Sequence, residues 1–239
     1  MAANGERSYA LYVESGPRRR KTMVHVLQLL GCTAQGPTTE DALAATPAAI
    51  KAYLRLLQRH GEAVDPDAPV ALSVAAHVME GSWIGQGDPE PGFEPDFASL
   101  SADELALHLR HLAWLRADLL ELLRALPPEA LLADSPQGRP IFAILLHIAG
   151  AQCAYLRYTV GKVEGLLPAM KAVERGPEGV GDALAALWDL SAKRLAAMTP
   201  EERGRVIPHG HVQWTARRGL RRMLEHEWEH SQELSRRLA

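Results

Sequence analysis

The stretch RRMLEHEWEHSQELSRRL, residues 221–238, sets His226 and His230 four residues apart in a segment whose apolar residues recur at helical spacing. On a wheel of about 100° per residue, Leu220, Met223, Leu224, Trp228, Leu234 and Leu238 form one apolar stripe. Both histidines fall together at the border of that stripe, beside Met223. A solvated face would put them opposite the stripe, and a core histidine would sit in its middle. The border position aims both rings into a groove against a neighbouring helix, and Gly219, about two turns earlier on the same face, leaves space there. Spacing alone does not decide the matter: with ten histidines in 239 residues, random placement gives roughly 0.4 such pairs.

Upstream, residues 99–239 read as four helical stretches, each ended by glycine, proline or the chain end. They run from Ser101 to about Leu126, opening on the capping box SADE, from Pro140 to about Val160, from about Val180 to Met198, and from about Trp214 to Leu238. Four such helices predict a packed all-α bundle. The second contains PIFAILLHIAGAQCAYL, residues 140–156, in which His147 shares a face with Ala143, Ile144, Gly150, Ala151 and Ala154. A buried neutral imidazole needs a partner for any nitrogen that loses its water, and either a backbone carbonyl or a metal serves. Two imidazoles from one helix and a third from another make a three-nitrogen set that leaves zinc or a similar ion an open coordination position.

The first eighty residues are patterned differently. YALYVES (residues 9–15) and KTMVHVLQL (residues 21–29) alternate and are rich in aromatic and β-branched residues, and GCTAQGPTT (residues 31–39) is punctuated by glycine and proline. A hairpin and a short third strand follow. Thr39 is placed as the cap of a helix carrying Leu43, Ile50, Tyr53, Leu54 and Leu57 and stopping at Gly61, with Pro47 kinking it or delaying its start. VALSVAAHV, residues 70–78, supplies another strand. GSWIGQGDPEPGFEPDFA, residues 81–98, is dense in glycine, proline and acid, the composition of a linker. The expected organisation is α+β: a small α+β domain over residues 1–82, a linker over 83–98 and a helical bundle over 99–239.

A net charge of -3 gives no global basic field, which argues against nucleic acid as the main partner, and the basic run GPRRRK after Ser15 reads as a solvated loop. Two distant cysteines, Cys32 and Cys153, and an N-terminus without an apolar signal region place the chain in the cytoplasm. No membrane partner is expected, since the apolar run around His147 reads as a buried helix. Glu225, Glu227 and Glu229 surround the histidine pair as a solvated acidic face. Glu229, one turn from His226, is the candidate second-shell acceptor or general base. His209 and His211 lie in the loop before the last helix and border the site's mouth at most, and Cys153, about 120° from His147, is a packing residue.

Two resemblances follow from these residues. Tyr9 to Glu62, with Gly31, Cys32 and Gly36 leading into Thr39, Glu40, Asp41 and Ala42, resembles the HicB antitoxin-like domain, which implies a small fold used for assembly or ligand contact. The C-terminal 140 or so residues resemble the DinB/YfiT-like superfamily of four-helix metal-binding proteins. His147 in LLHIAGAQCAYLRY matches that family's second-helix ligand, and His226 with His230 match its H-x-x-x-H in the last helix. The resemblance implies a divalent metal on His147, His226 and His230, with zinc or nickel ahead of manganese or iron. It also implies a metal-dependent enzyme of thiol-dependent S-transferase or hydrolase type, acting on a small molecule, with a low-molecular-weight thiol as one substrate class. The alternative is a non-catalytic metal-binding or stress-related assembly protein with a HicB-like interaction domain. A homodimer is expected.

Overall fold

The computed structural model describes residues 7–16, 20–81, 84–85, 91–136 and 138–238. Residues 17–19 of the basic run, residue 82, and residues 83 and 86–90 of the expected linker lie outside them. The chain divides into two compact units, Met1–Asp96 and Phe97–Ala239. The mixed α+β class of the sequence reading is the class observed, with a four-stranded sheet first and helices after it.

In the first unit β1 (Arg7–Ser15), β2 (Arg20–Val26) and β3 (Thr33–Thr38) form an antiparallel meander. Helix α1 (Thr39–Arg59) returns the chain to β4 (Val70–Val78), which pairs parallel to β1, so the strand order is β3-β2-β1-β4. Alternation decides which face is covered: Tyr9, Leu11 and Val13 of β1 are buried, and Ile50, Tyr53, Leu54 and Leu57 of α1 are buried at helical spacing. The Tyr53 hydroxyl donates to the carbonyl of Leu30 at 2.7 Å, so this aromatic is buried with its polar end satisfied. The helix cap is Thr38, one residue before the expected Thr39; its hydroxyl accepts from the amide of Asp41 at 3.1 Å. Pro47 does not delay the start of α1, which begins at Thr39 and runs through it. The residue is exposed, so water can reach the carbonyl one turn back that loses its N–H partner. Gly36 is obligatory, because a Cβ there would lie 2.4 Å from the amide nitrogen of Ala42. Within the stretch expected as linker, Ile84 and Phe93 are buried, and the Phe93 ring meets those of Tyr12 and His25.

The second unit has four long helices, α2 (Ala102–Arg124), α4 (Ile141–Val160), α6 (Val180–Ala196) and α8 (Ala216–Leu238), and three short ones, α3 (Pro128–Leu132), α5 (Leu166–Val173) and α7 (Pro200–Gly204). Helix α8 packs against both α4 and α2, and α2 against α6. The capping box at Ser101 and Glu104 is formed from both sides, and Gly161, at φ 77°, ends α4. Among the described residues α4 alone is long and apolar enough to cross a membrane by length and composition. Ile144, Leu145, Ile148 and Leu156 along it are core residues. One feature absent from the sequence reading is a small hairpin of β5 (Ile207–His209) and β6 (Val212–Trp214), turning at Gly210 with φ 63°. Its alternation spans only three residues on each side, too few to register as strands.

Candidate metal centre

Helix α8 is buried far beyond its apolar stripe. Leu220, Met223, Leu224, Trp228 and Leu234 are core residues as expected, while Leu238 is exposed; Arg218, Arg221, Arg222, Glu225 and Glu227 are buried as well. A buried charge needs a partner. Glu225 receives Arg222 at 2.7 Å and Arg221 at 3.3 Å, and Glu227 receives Arg116 of α2 in a two-pronged ion pair at 2.9–3.1 Å. Neither carboxylate belongs to a solvated face. Burial pushes the Glu227 carboxyl up, and Arg116 opposes that shift.

Along the border of the stripe, α8 presents His226 and His230 to His147 of α4. The three ring centroids stand 4.6, 4.7 and 5.1 Å apart, and the potential ligand nitrogens all lie within 4.8 Å of one another. The Nε2 atoms of His147 and His226 are 2.9 Å apart. A tetrahedral ion bonded at roughly 2.0–2.1 Å needs donors about 3.3 Å apart, which falls inside the observed range. The three imidazoles therefore fit a single metal after shifts within rotamer freedom. His226 is buried, His230 half-buried and His147 exposed, so the cluster is anchored in the core and open on the α4 side.

Burial holds the imidazole of His226 well below its ordinary range, and the rings of His230 and His147 add to that. Desolvation of its packed side lowers His147 too, with His230 next in weight. His230 is lowered by burial against the opposing pull of Glu233. Neutral rings at neutral pH are what coordination requires.

The sequence reading missed Glu233. Its Oε2 lies 2.8 Å from Nδ1 of His230, its Oε1 is paired with Arg237 at 2.9 Å, and Arg237 donates to the carbonyl of Arg139 at 2.7 Å. A carboxylate three residues after a ligand histidine on a helix was the available signal. Glu229 is half-buried and lies outside the cluster. His209 and His211 are exposed in the β5–β6 hairpin rather than a plain loop. The ring of His209 stands 4.4 Å from that of Tyr158, and ring contacts continue through Trp214 and Tyr155 to His226. Cys153 is half-buried, with burial pushing its thiol up to about 11, which disfavours the thiolate. Gly219 does not open space beside the histidines: a Cβ there would lie 1.9 Å from Oγ1 of Thr159, so the glycine permits close approach of α4 and α8.

A bundle of long helices with three histidines converging from two of them defines a class of helical proteins with a nitrogen-rich side-chain cluster between helices. The family model of the DinB superfamily matches residues 111–234, which is 124 of 239 residues and includes all three histidines. The chain belongs to that superfamily. No curated protein and no solved structure gives a significant match to the chain.

Proposed function

We propose that the second unit binds one divalent metal on His147, His226 and His230 and uses it in a transfer or hydrolysis reaction of S-transferase or hydrolase type on a small molecule, with a low-molecular-weight thiol as a substrate class. The observation that carries this reading is the convergence of three nitrogen donors, a set that includes no carboxylate among the described residues. Such a set suits zinc or nickel better than manganese or iron, which favour oxygen ligands more strongly. A divalent ion there would supply Lewis acidity, lowering the pKa of a water or thiol that meets it. The chain's own residues then have separate tasks. Glu233 orients His230, the exposed side of His147 admits the small molecule, and Glu229, one turn from His226 on α8, is the candidate proton acceptor.

The test is metal analysis of the purified chain followed by a thiol-transfer and hydrolysis screen. Near-equimolar metal that is lost in each of His147→Ala, His226→Ala and His230→Ala supports the site, because two imidazoles leave too few ligands for tight binding. His147→Ala with unchanged affinity excludes it. Glu229→Gln that keeps the metal but loses turnover assigns the proton acceptor.

A second reading gives the metal a non-catalytic role and makes the first unit a HicB-like interaction domain. The β-β-β-α-β order and the obligatory Gly36 in β3, against the start of α1, favour that assignment of the first unit. A metal-loaded protein that is inert in the screen would select it.

A further inference from the structure

The sheet of the first unit has two edges, and they are built differently. At one edge, β3 carries Gly36 and Pro37, and α1 packs closely over it. Proline and glycine disfavour the addition of another strand. At the other edge stands β4, nine residues long, hydrogen-bonded to β1 on one side; among the described residues no strand pairs with its other side. VALSVAAHV contains no proline and no Asp, Glu, Lys or Arg. A bulge between its pairings with Leu11 and Tyr12 bends it without adding a charge. No residue of β4 is fully buried. Among the described residues of the first unit, the two exposed large apolar side chains are both here: Val74 at 51% and, just past the strand, Met79 at 52%. Natural proteins blunt an open edge with charge, proline, a bulge or a cover; β4 carries a single bulge, at Ala75, and neither charge nor proline.

We propose that two copies of this chain pair through β4, antiparallel about a twofold axis at Val74, joining their four-stranded sheets into one of eight strands. The strand is self-complementary under that operation. Val74 faces its own copy, Leu72 faces Ala76, Val70 faces Val78, Ser73 faces Ala75 and Ala71 faces His77, and no like charges oppose each other. His77 holds the end of the strand in place, its Nε2 lying 2.8 Å from Oγ of Ser15. An isologous pairing satisfies the open backbone edge and covers Val74 and Met79 together, with no second, different partner strand required. It stands independently of the metal site.

Sedimentation of the full chain at tens of micromolar should give twice 26.1 kDa. Val74→Lys and Val74→Glu should each sediment as monomers with unchanged circular dichroism, because a like charge then meets itself on the axis. An equimolar mixture of the two should return to the dimer, which simple misfolding would not allow. A monomeric wild-type chain overturns the proposal, and so does a folded Val74→Lys variant that stays dimeric or a mixture that stays monomeric. Wild-type hydrogen exchange checks the same contact without substitution. Those amides of Val70–Val78 that point to the open edge, and not the ones bonded to β1, should gain protection as concentration rises through the dimer range, and protection independent of concentration counts against the pairing.

Discussion

Nδ1 of His230 is held 2.8 Å from Oε2 of Glu233, and Glu233 is held in turn by Arg237. This contact occupies Nδ1 and leaves Nε2 as the nitrogen that could bind an ion, and the carboxylate raises the basicity of that nitrogen. Replacing Glu233 by Gln keeps the shape and removes the charge. Metal affinity should fall by about 10- to 100-fold, the usual consequence of losing such a partner. Chelator competition measures it. Unchanged affinity would mean that the carboxylate only pairs with Arg237.

The metal-free protein should lose stability as pH falls from about 6.5 to about 4. Burial lowers the imidazole of His108 on α2 to about 4, with His111 and Arg217 adding to the shift, and burial likewise lowers His147, His226 and His230. In the unfolded chain each titrates near 6.5. Between those values the unfolded state takes up protons that the folded state refuses, so this stability is complete above the unfolded pKa and is lost on acidification. His108 alone accounts for up to about 3 kcal/mol of that loss, at 1.36 kcal/mol per pKa unit. Urea denaturation at pH 7.5 and 4.5 should show a smaller difference for His108→Asn than for wild type. Equal differences would remove His108 from the account.

Local chemistry carried most of the fold in the sequence. The periodic apolar positions, the Ser101 capping box and the glycines after α1 and α4 act within a few residues, so they can be read along the chain. The histidine cluster was legible because two ligands share one helix and the third lies on an apolar one. What the sequence could not show was the fate of the charges on α8. Glu227 is neutralised by Arg116, 111 residues away, and nothing local distinguishes it from a solvated acid such as those at helix ends. Pro47 reads as a helix breaker because its cost depends on which way the bereft carbonyl faces, and that is a property of the packed helix.

The Arg116–Glu227 pair separates removal of one partner from removal of both. Arg116→Leu leaves a carboxylate buried without its cation and should cost about 3–5 kcal/mol. The double variant Arg116→Met, Glu227→Leu removes both desolvated charges and should unfold within about 1–2 kcal/mol of wild type, on either side. Arg116 also lies over the ring of Trp188, 5.2 Å from its centroid, so a methionine, which keeps apolar bulk there, suits the double variant. Equal destabilisation of single and double variants would show that packing, and not the unpaired charge, sets the cost.

Gly219 and Thr159 set the distance between the helices that hold the three histidines. A Cβ at position 219 would meet Oγ1 of Thr159 at 1.9 Å, its Cβ at 3.0 Å and its Cγ2 at 3.1 Å, and the Thr159 hydroxyl donates to the carbonyl of Tyr155 at 2.7 Å. The threonine is therefore buried, bonded and β-branched, which leaves it little room to turn aside. Gly219→Ala should push α4 and α8 apart and cost about 1–3 kcal/mol, as overpacking does. Since His147 is on α4 and His226 on α8, the same separation should weaken metal binding although position 219 touches no ligand. Thr159→Ala removes Oγ1 and Cγ2 and leaves a 3.0 Å contact to relax, so adding it to Gly219→Ala should recover part of both losses. Thermal denaturation with and without metal, together with chelator competition on the single and double variants, measures the coupling. A Gly219→Ala chain with wild-type stability and affinity would show that the helices are not held at this point.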